Sequence, residues 1–165
     1  TPVGIEDHRI PSGAFSASSS YNFNHGPDRA RLNQPNGHGR TGAWSARDKN
    51  RNQWLQVDLG AVSRLTGVAT QGRHDAHQWV TSYTLAFSKD GKRFYPYRQA
   101  INRLNDPLFR ANTDRNTVVY HRFAKAIRAQ YVRVHPKKWR SHISMRVELF
   151  GCQRGELHLS LNTWK

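Results

Sequence analysis

The stretch QWLQVDLGAVSRLTGVATQGR, residues 53–73, decides the fold. Leu55, Val57 and Leu59 alternate with Gln56 and Asp58, the two-residue period of a strand with one buried face. RLTGVATQ (64–71) reads as a second strand after a short turn. Working outward, YTLAFS (83–88) sets Tyr83, Leu85 and Phe87 on one face. Asp90-Gly91 then predicts a two-residue hairpin, because glycine tolerates the positive φ such turns need. TVVYHRF (117–123), AQYVRVH (129–135) and SMRVELF (144–150) complete the set, the last alternating Met145, Val147 and Leu149 with Arg146, Glu148 and Phe150. Short strands at this density, broken by Gly, Asn, Asp and Pro, predict an all-β sandwich or closed barrel. No long amphipathic helix and no internal repeat is evident. The tail QRGELHLSLNTWK (153–165) reads as an extension, with an extra alternating strand through Leu157, Leu159 and Leu161.

At 165 residues the chain suits one domain with a substantial core. No run approaches the ~18 apolar residues that span a bilayer. TPVGIEDHRI is no signal peptide, so a secreted protein would already have lost its leader. The balance of 26 basic against 11 acidic residues, formally +15, predicts attraction to polyanions. Nine of the Lys/Arg fall between His121 and Arg154, with Glu148 the single acid there. That stretch is read either as a solvated basic face or as a docking surface. Nucleic acid is not expected, because zinc-finger spacing, a helix-turn-helix pattern and an RNA-binding aromatic strand are all missing. Catalysis is not expected either. Asp58, Asp90 and Asp106 sit at turns or strand ends, and no G-x-S-x-G, P-loop or Cys–His pair is present.

SASSSY (16–21), ARLN (30–33), GAWSA (42–46), QWLQVDLG (53–60), TGVATQGR (66–73), WVTSYTLAFSKDG (79–91), NTDRNTVV (112–119) and ISMRVELFGC (143–152) follow one another in this order. In that order the chain resembles the discoidin family, the coagulation factor V/VIII C-type domains, over residues 1–152. The resemblance implies an eight-stranded antiparallel jelly-roll barrel of the galactose-binding-like, discoidin type. Its termini would lie together at one end and ligand-binding loops, the spikes, at the other. It implies a secreted recognition or adhesion module with no cofactor. Its ligand would be a polar or anionic cell-surface or matrix glycan, with anionic phospholipid or a protein such as collagen as alternatives.

Three spikes are expected. The first, YNFNHG (21–26), carries Tyr21, Asn22, Phe23, Asn24 and His25; the second, PNGHGR (35–40), carries His38 and Arg40. The third, RHDAHQ (73–78), carries Arg73, His74, Asp75 and His77, with tip residues free to point outward and Trp79 anchoring the loop at the rim. Phe23 is the one apolar tip, worth about 1.5–3 kcal/mol if buried in lipid, which alone anchors a membrane weakly. Tyr21, Phe23 or Trp79 would stack on a sugar ring, while amides, Asp75 and Arg73 take its hydroxyls. No metal is expected, although converging spike histidines would suit zinc or copper and His74-x-x-His77 is the nearest to a ligand pair. One branch of the family grips a basic peptide C-terminus, and its pocket positions fall on Tyr21, Ser45 and Asp48.

The resemblance also implies that Cys152 pairs with a cysteine at or just upstream of Thr1. FRANTD (109–114) departs from the family pattern by placing Ala111 where a glycine stands, so a positive φ there would force the turn to rearrange.

Overall fold

The computed structural model describes residues 1–98 and 108–153. The Asp106-Pro107 turn and the expected strand through Leu157, Leu159 and Leu161 lie outside the described residues. The described chain is an eight-stranded β structure whose strands pair antiparallel: β1 (Phe15–Ala17), β2 (Trp44–Ser45), β3 (Leu55–Gln71), β4 (Trp79–Ser88), β5 (Tyr95–Pro96), β6 (Phe109–Arg110), β7 (Val119–Arg140) and β8 (Ser144–Gln153). Strands lie in the order β2-β8-β3-β7-β4-β5, with β1 added to β3 and β6 to β4.

Two pairs of expected strands are each one continuous strand. The expected turn between Gly60 and Arg64 is a register shift within β3, between Asp58 and Ser63. β7 likewise runs unbroken through both of its predicted halves. Such shifts bend a strand without ending it, which lets β3 and β7 curl around one core. Asp58 accepts from the Gly60 N–H and from Gln130 Nε2, so it is a structural acid within β3.

The hairpin after β4 is wider than a two-residue turn. The last pairing is Phe87 with Tyr95, and the intervening loop is built on Asp90, whose carboxylate accepts from Lys92 N, Arg93 N and Ser88 Oγ. Gly91 does take the positive φ expected of it, 76°, but under the Tyr131 ring. Ala111 does not lie in the left-handed region, so the turn needs no rearrangement.

The core contains Leu55, Val57, Leu65, Tyr83, Leu85, Phe87, Phe109, Val132, Val134, Met145, Val147 and Leu149. β8 corrects the simple reading of its alternation, because its polar positions are buried too. Glu148 accepts from Ile5 N, Glu6 N and Leu149 N, and so pins the N-terminal segment. Arg146 is 1% exposed and therefore no part of a basic docking surface. It donates to the carbonyls of Gly72, Gln34 and Arg115 and to Asn116 Oδ1. Burial lowers its pKa to about 10, which leaves it charged at neutral pH.

The N-terminal residues run antiparallel to the end of β8. Pro2 bridges Phe150, and the Gly151 N–H donates to Thr1 O at 2.8 Å. This register carries the position before Thr1 opposite Cys152, whose side chain is half-buried. A cysteine directly before Thr1 is expected to pair with that thiol, with a serine at the same position as the comparison. The gain should be about 2–4 kcal/mol in denaturant melts, reversed by reductant. Arg146→Met, which keeps bulk but strands its acceptors, is expected to cost about 3–4 kcal/mol by the same measurement.

Candidate functional site

Three loops meet at one rim. In the first, Asn22 Oδ1 accepts from Asn24 N and from His25 Nδ1, capping a 3-10 turn over Phe23–His25. That turn leaves the Phe23 side chain 79% exposed. The second reverses at His38-Gly39, with φ of 52° and 74° and reciprocal backbone bonds between Gly37 and Arg40. Two successive positive φ values match the twist of the hairpin and put His38 at its exposed tip. The third spans residues 73–78 and is closed by Arg73 N donating to Gln78 O.

Polar bonds lock the loops to one another. Arg40 grips the Asp28 carboxylate with both terminal nitrogens, donates to Phe23 O, and lies 4.4 Å from the centroid of the Phe23 ring. Arg40 is thus a strut between the first two loops. Thr41 N donates to Asn24 O at 3.0 Å. His74 N donates to Gly42 O, Gly42 N donates to Asp75 Oδ1, and His74 Nδ1 bonds Asn36 Oδ1 at 2.8 Å. A Cβ on Gly42 would collide with the His74 Cβ and sit 3.0 Å from Asn36 N, so only glycine fits this crossing.

The third loop differs most from expectation. Arg73, His74, Asp75 and Gln78 are internally engaged; only His77 stands exposed at the tip without a hydrogen bond to a described residue. Arg73 donates to both Asp75 oxygens, to Gln78 Oε1, and toward His25 Nε2 at 3.5 Å. Burial would raise the Asp75 carboxyl, but the Arg73 guanidinium and the Gly42 N–H outweigh it and hold it at about 2. Burial, and then the Arg73 charge, push the His25 imidazole below its ordinary value.

A cleft of about 450 Å³ opens where the loops join, lined by Tyr21, His25, Ser45, Arg47, Lys49, Arg73, Gln78 and His142. Tyr21 stands between two imidazoles, 5.0 Å from His25 and 6.0 Å from His142, both edge-on. Ser144 Oγ donates to Gln78 Oε1, so the Ser45 hydroxyl, 2.6 Å from Ser144 Oγ, points its proton there and keeps a lone pair for the cleft. Gln78 Nε2 has no bond to a described residue and supplies a donor. Arg47 and Lys49 are exposed at the edge.

Asp48, between them, is not in the lining; its carboxylate lies 3.6 Å from the Arg47 guanidinium. Trp79 is also outside the cleft, at the rim, with Arg140 over its ring at 5.6 Å and His77 edge-on at 6.4 Å. Asn24 and His38 face other loops or solvent. Among the described residues no three His, Cys, Asp or Glu side chains gather as a metal site, and His74 is committed to Asn36.

Arg47, Lys49 and His142 are the lining residues that sequence reasoning missed. The alternating charges of SARDKN (45–50) were the available signal for the first two. His142 had none. It is brought in by the turn between β7 and β8 and held by Nε2–H donating to Ala46 O.

The F5/8 type C domain model matches residues 14–149. The chain belongs to the F5/8 type C family. A Mus musculus lactadherin is 38% identical over 159 residues, covering 92% of this chain and 33% of that protein. The Rattus norvegicus lactadherin is 37% identical, with 92% and 36% covered. This F5/8 type C chain therefore spans about a third of the length of the lactadherins it matches. Discoidin II of Dictyostelium discoideum superposes with a TM-score of 0.76 at 31% identity, over 84% of this chain and 55% of that one. A family 32 carbohydrate-binding module from C. perfringens NanJ, solved in complex with galactose, gives 0.63 at 17% identity over 85% and 96%. At that identity the likeness is one of fold. The fold is the discoidin jelly roll.

Gly42→Ala is expected to cost about 1–3 kcal/mol by forcing the second and third loops apart. Urea melts measure the loss, and hydrogen exchange should show faster amides at Gly42 and His74.

Proposed function

We propose that this domain is an extracellular recognition module of residues 1–152 whose spike cleft binds an anionic carbohydrate on cells or matrix, without catalysis. One observation carries the reading: the cleft combines an exposed ring, a free hydroxyl lone pair, a free amide donor and two exposed cations, with no carboxylate in its lining. Tyr21 offers its face to a pyranose, Ser45 and Gln78 take hydroxyls, and Arg47 and Lys49 take a carboxylate or sulfate. Arg73 and Asp75 act indirectly, by neutralising each other and holding Gln78 and His25 in place. The same lining argues against a basic peptide C-terminus, since the acid that would pair with it, Asp48, is outside the cleft. It also lacks the paired carboxylates that hydrolysis of a glycoside needs.

A second reading, an anionic phospholipid surface, is favoured by Phe23. Its ring is the most exposed of the large apolar side chains described, and it projects beside basic residues. The two readings separate on variants. For an acidic glycan on an array, Arg47→Ala with Lys49→Ala is expected to weaken binding at least about tenfold, while Phe23→Ala changes it less than about twofold. Phosphatidylserine vesicles that lose affinity chiefly through Phe23→Ala would establish the lipid reading instead.

A further inference from the structure

We propose a second binding site, for an acidic polysaccharide, on the side of the β3–β7–β8 sheet, apart from the spike cleft and sharing no residue with it. β7 carries residues 123–126 between Arg122, paired with Gly67, and Ile127, paired with Leu65; β3 carries only Thr66 between the same two pairings. The surplus chain leaves the ladder and opens a depression of about 390 Å³, lined by Arg64, Thr66, Arg122, Phe123, Ala124 and Ala126. Excursions of this kind re-aim side chains and commonly sit beside functional sites.

The depression is flanked by cations. Arg64 and Arg128 are direct cross-strand partners, so two like charges stand side by side, an arrangement unfavourable in a bare sheet. Arg64, Arg122, Lys125 and Arg128 are all exposed, and none makes an ion pair or side-chain hydrogen bond with a described residue. The only carboxylate paired to this part of β3, Glu148 opposite Ala69, is buried and consumed by three backbone N–H groups.

Next to the cations lies a half-exposed aromatic ring. Tyr120 packs over Gly67, where a Cβ would fall 2.6 Å from its hydroxyl and 2.8 Å from Cε2, and Phe150 supports it edge-on at 5.2 Å. The ring is thus held down against the sheet with its outer side open. A flat ring beside unpaired guanidinium groups suits a sugar ring carrying sulfate or carboxylate, which arginine grips bidentately. A bilayer instead needs an apolar side chain that projects beyond the basic ones, and Tyr120 is packed down.

The test uses a heparin octasaccharide as a sulfated probe, with affinity measured on the full chain by titration calorimetry. A face variant, Arg64→Gln with Arg122→Gln and Arg128→Gln, is compared with Lys89→Gln, Lys92→Gln and Arg93→Gln, which removes equal charge elsewhere. The face variant is expected to lose about tenfold or more in affinity, the product of three exposed ion contacts, and the control less than about threefold. Tyr120→Ala should lose a further several-fold. Arg64→Gln relieves the repulsion with Arg128, so the unliganded melting temperature should hold or rise, which shows the loss is not misfolding. Equal losses in the face and control variants would overturn the site, as would indifference to Tyr120→Ala. Single-stranded DNA or phosphatidylserine vesicles that lose affinity in the face variant by more than heparin does would overturn the polysaccharide assignment. The spike variant Arg47→Ala with Lys49→Ala should keep the face-dependent loss, so this site can fail while the cleft stands, and the reverse.

Discussion

The spike end depends on one buried cation. Arg146, on β8 and 1% exposed, reaches three separate segments through Gln34, Gly72, Arg115 and Asn116. A guanidinium has donors fixed in a plane, so satisfying several carbonyls at once sets both distance and angle between the chains that carry them. Around it Gln71 binds Asn33 and Asn116, and Asn112 binds Thr70 and Thr117, so the chain entering the second and third loops is tied below the level of the cleft. The exposed loops above are thereby spared from ordering themselves, and their side chains are held before a ligand arrives.

The formal charge of +15 is not spread evenly in its effects. Arg31 and Arg146 are buried fasteners: Arg31 donates to the carbonyls of Ile5 and Ile10. Arg40 and Arg73 are spent on Asp28 and Asp75. Arg133 is held between the rings of Trp54 and Phe94, at 4.2 and 4.0 Å. Among the exposed cations that remain are Lys49 and the loosely paired Arg47 at the cleft, and Arg64, Arg122, Lys125 and Arg128 on the sheet. Burial and pairing, rather than composition, decide which charges a ligand can meet.

Two strand irregularities shape the sheet. A register shift in β3 replaces the turn expected near Gly60, and the larger one in β7 makes the depression beside Arg122. Strands that bend without ending let the barrel curve around one core, with the ladder broken only locally at each shift.

By itself the sequence determined the β class, the inward-facing positions on β3 and β4, the family and the three loops that form the rim, because side-chain alternation and turn residues act over a few neighbours. It was silent on the tertiary pairings. Arg146 and Glu148 occupy the polar positions of an alternating strand, and only the chains packed around β8 show that both are buried. Asp48 and Lys49 are adjacent, yet one lines the cleft and the other does not. Asp75 looked like a ligand-facing acid until Arg73 and Gly42 were found to hold it, and His142 reached the cleft from the far end of the chain. Such contacts join residues far apart in sequence, and a local pattern carries no record of which distant carbonyl or carboxylate will satisfy a given side chain.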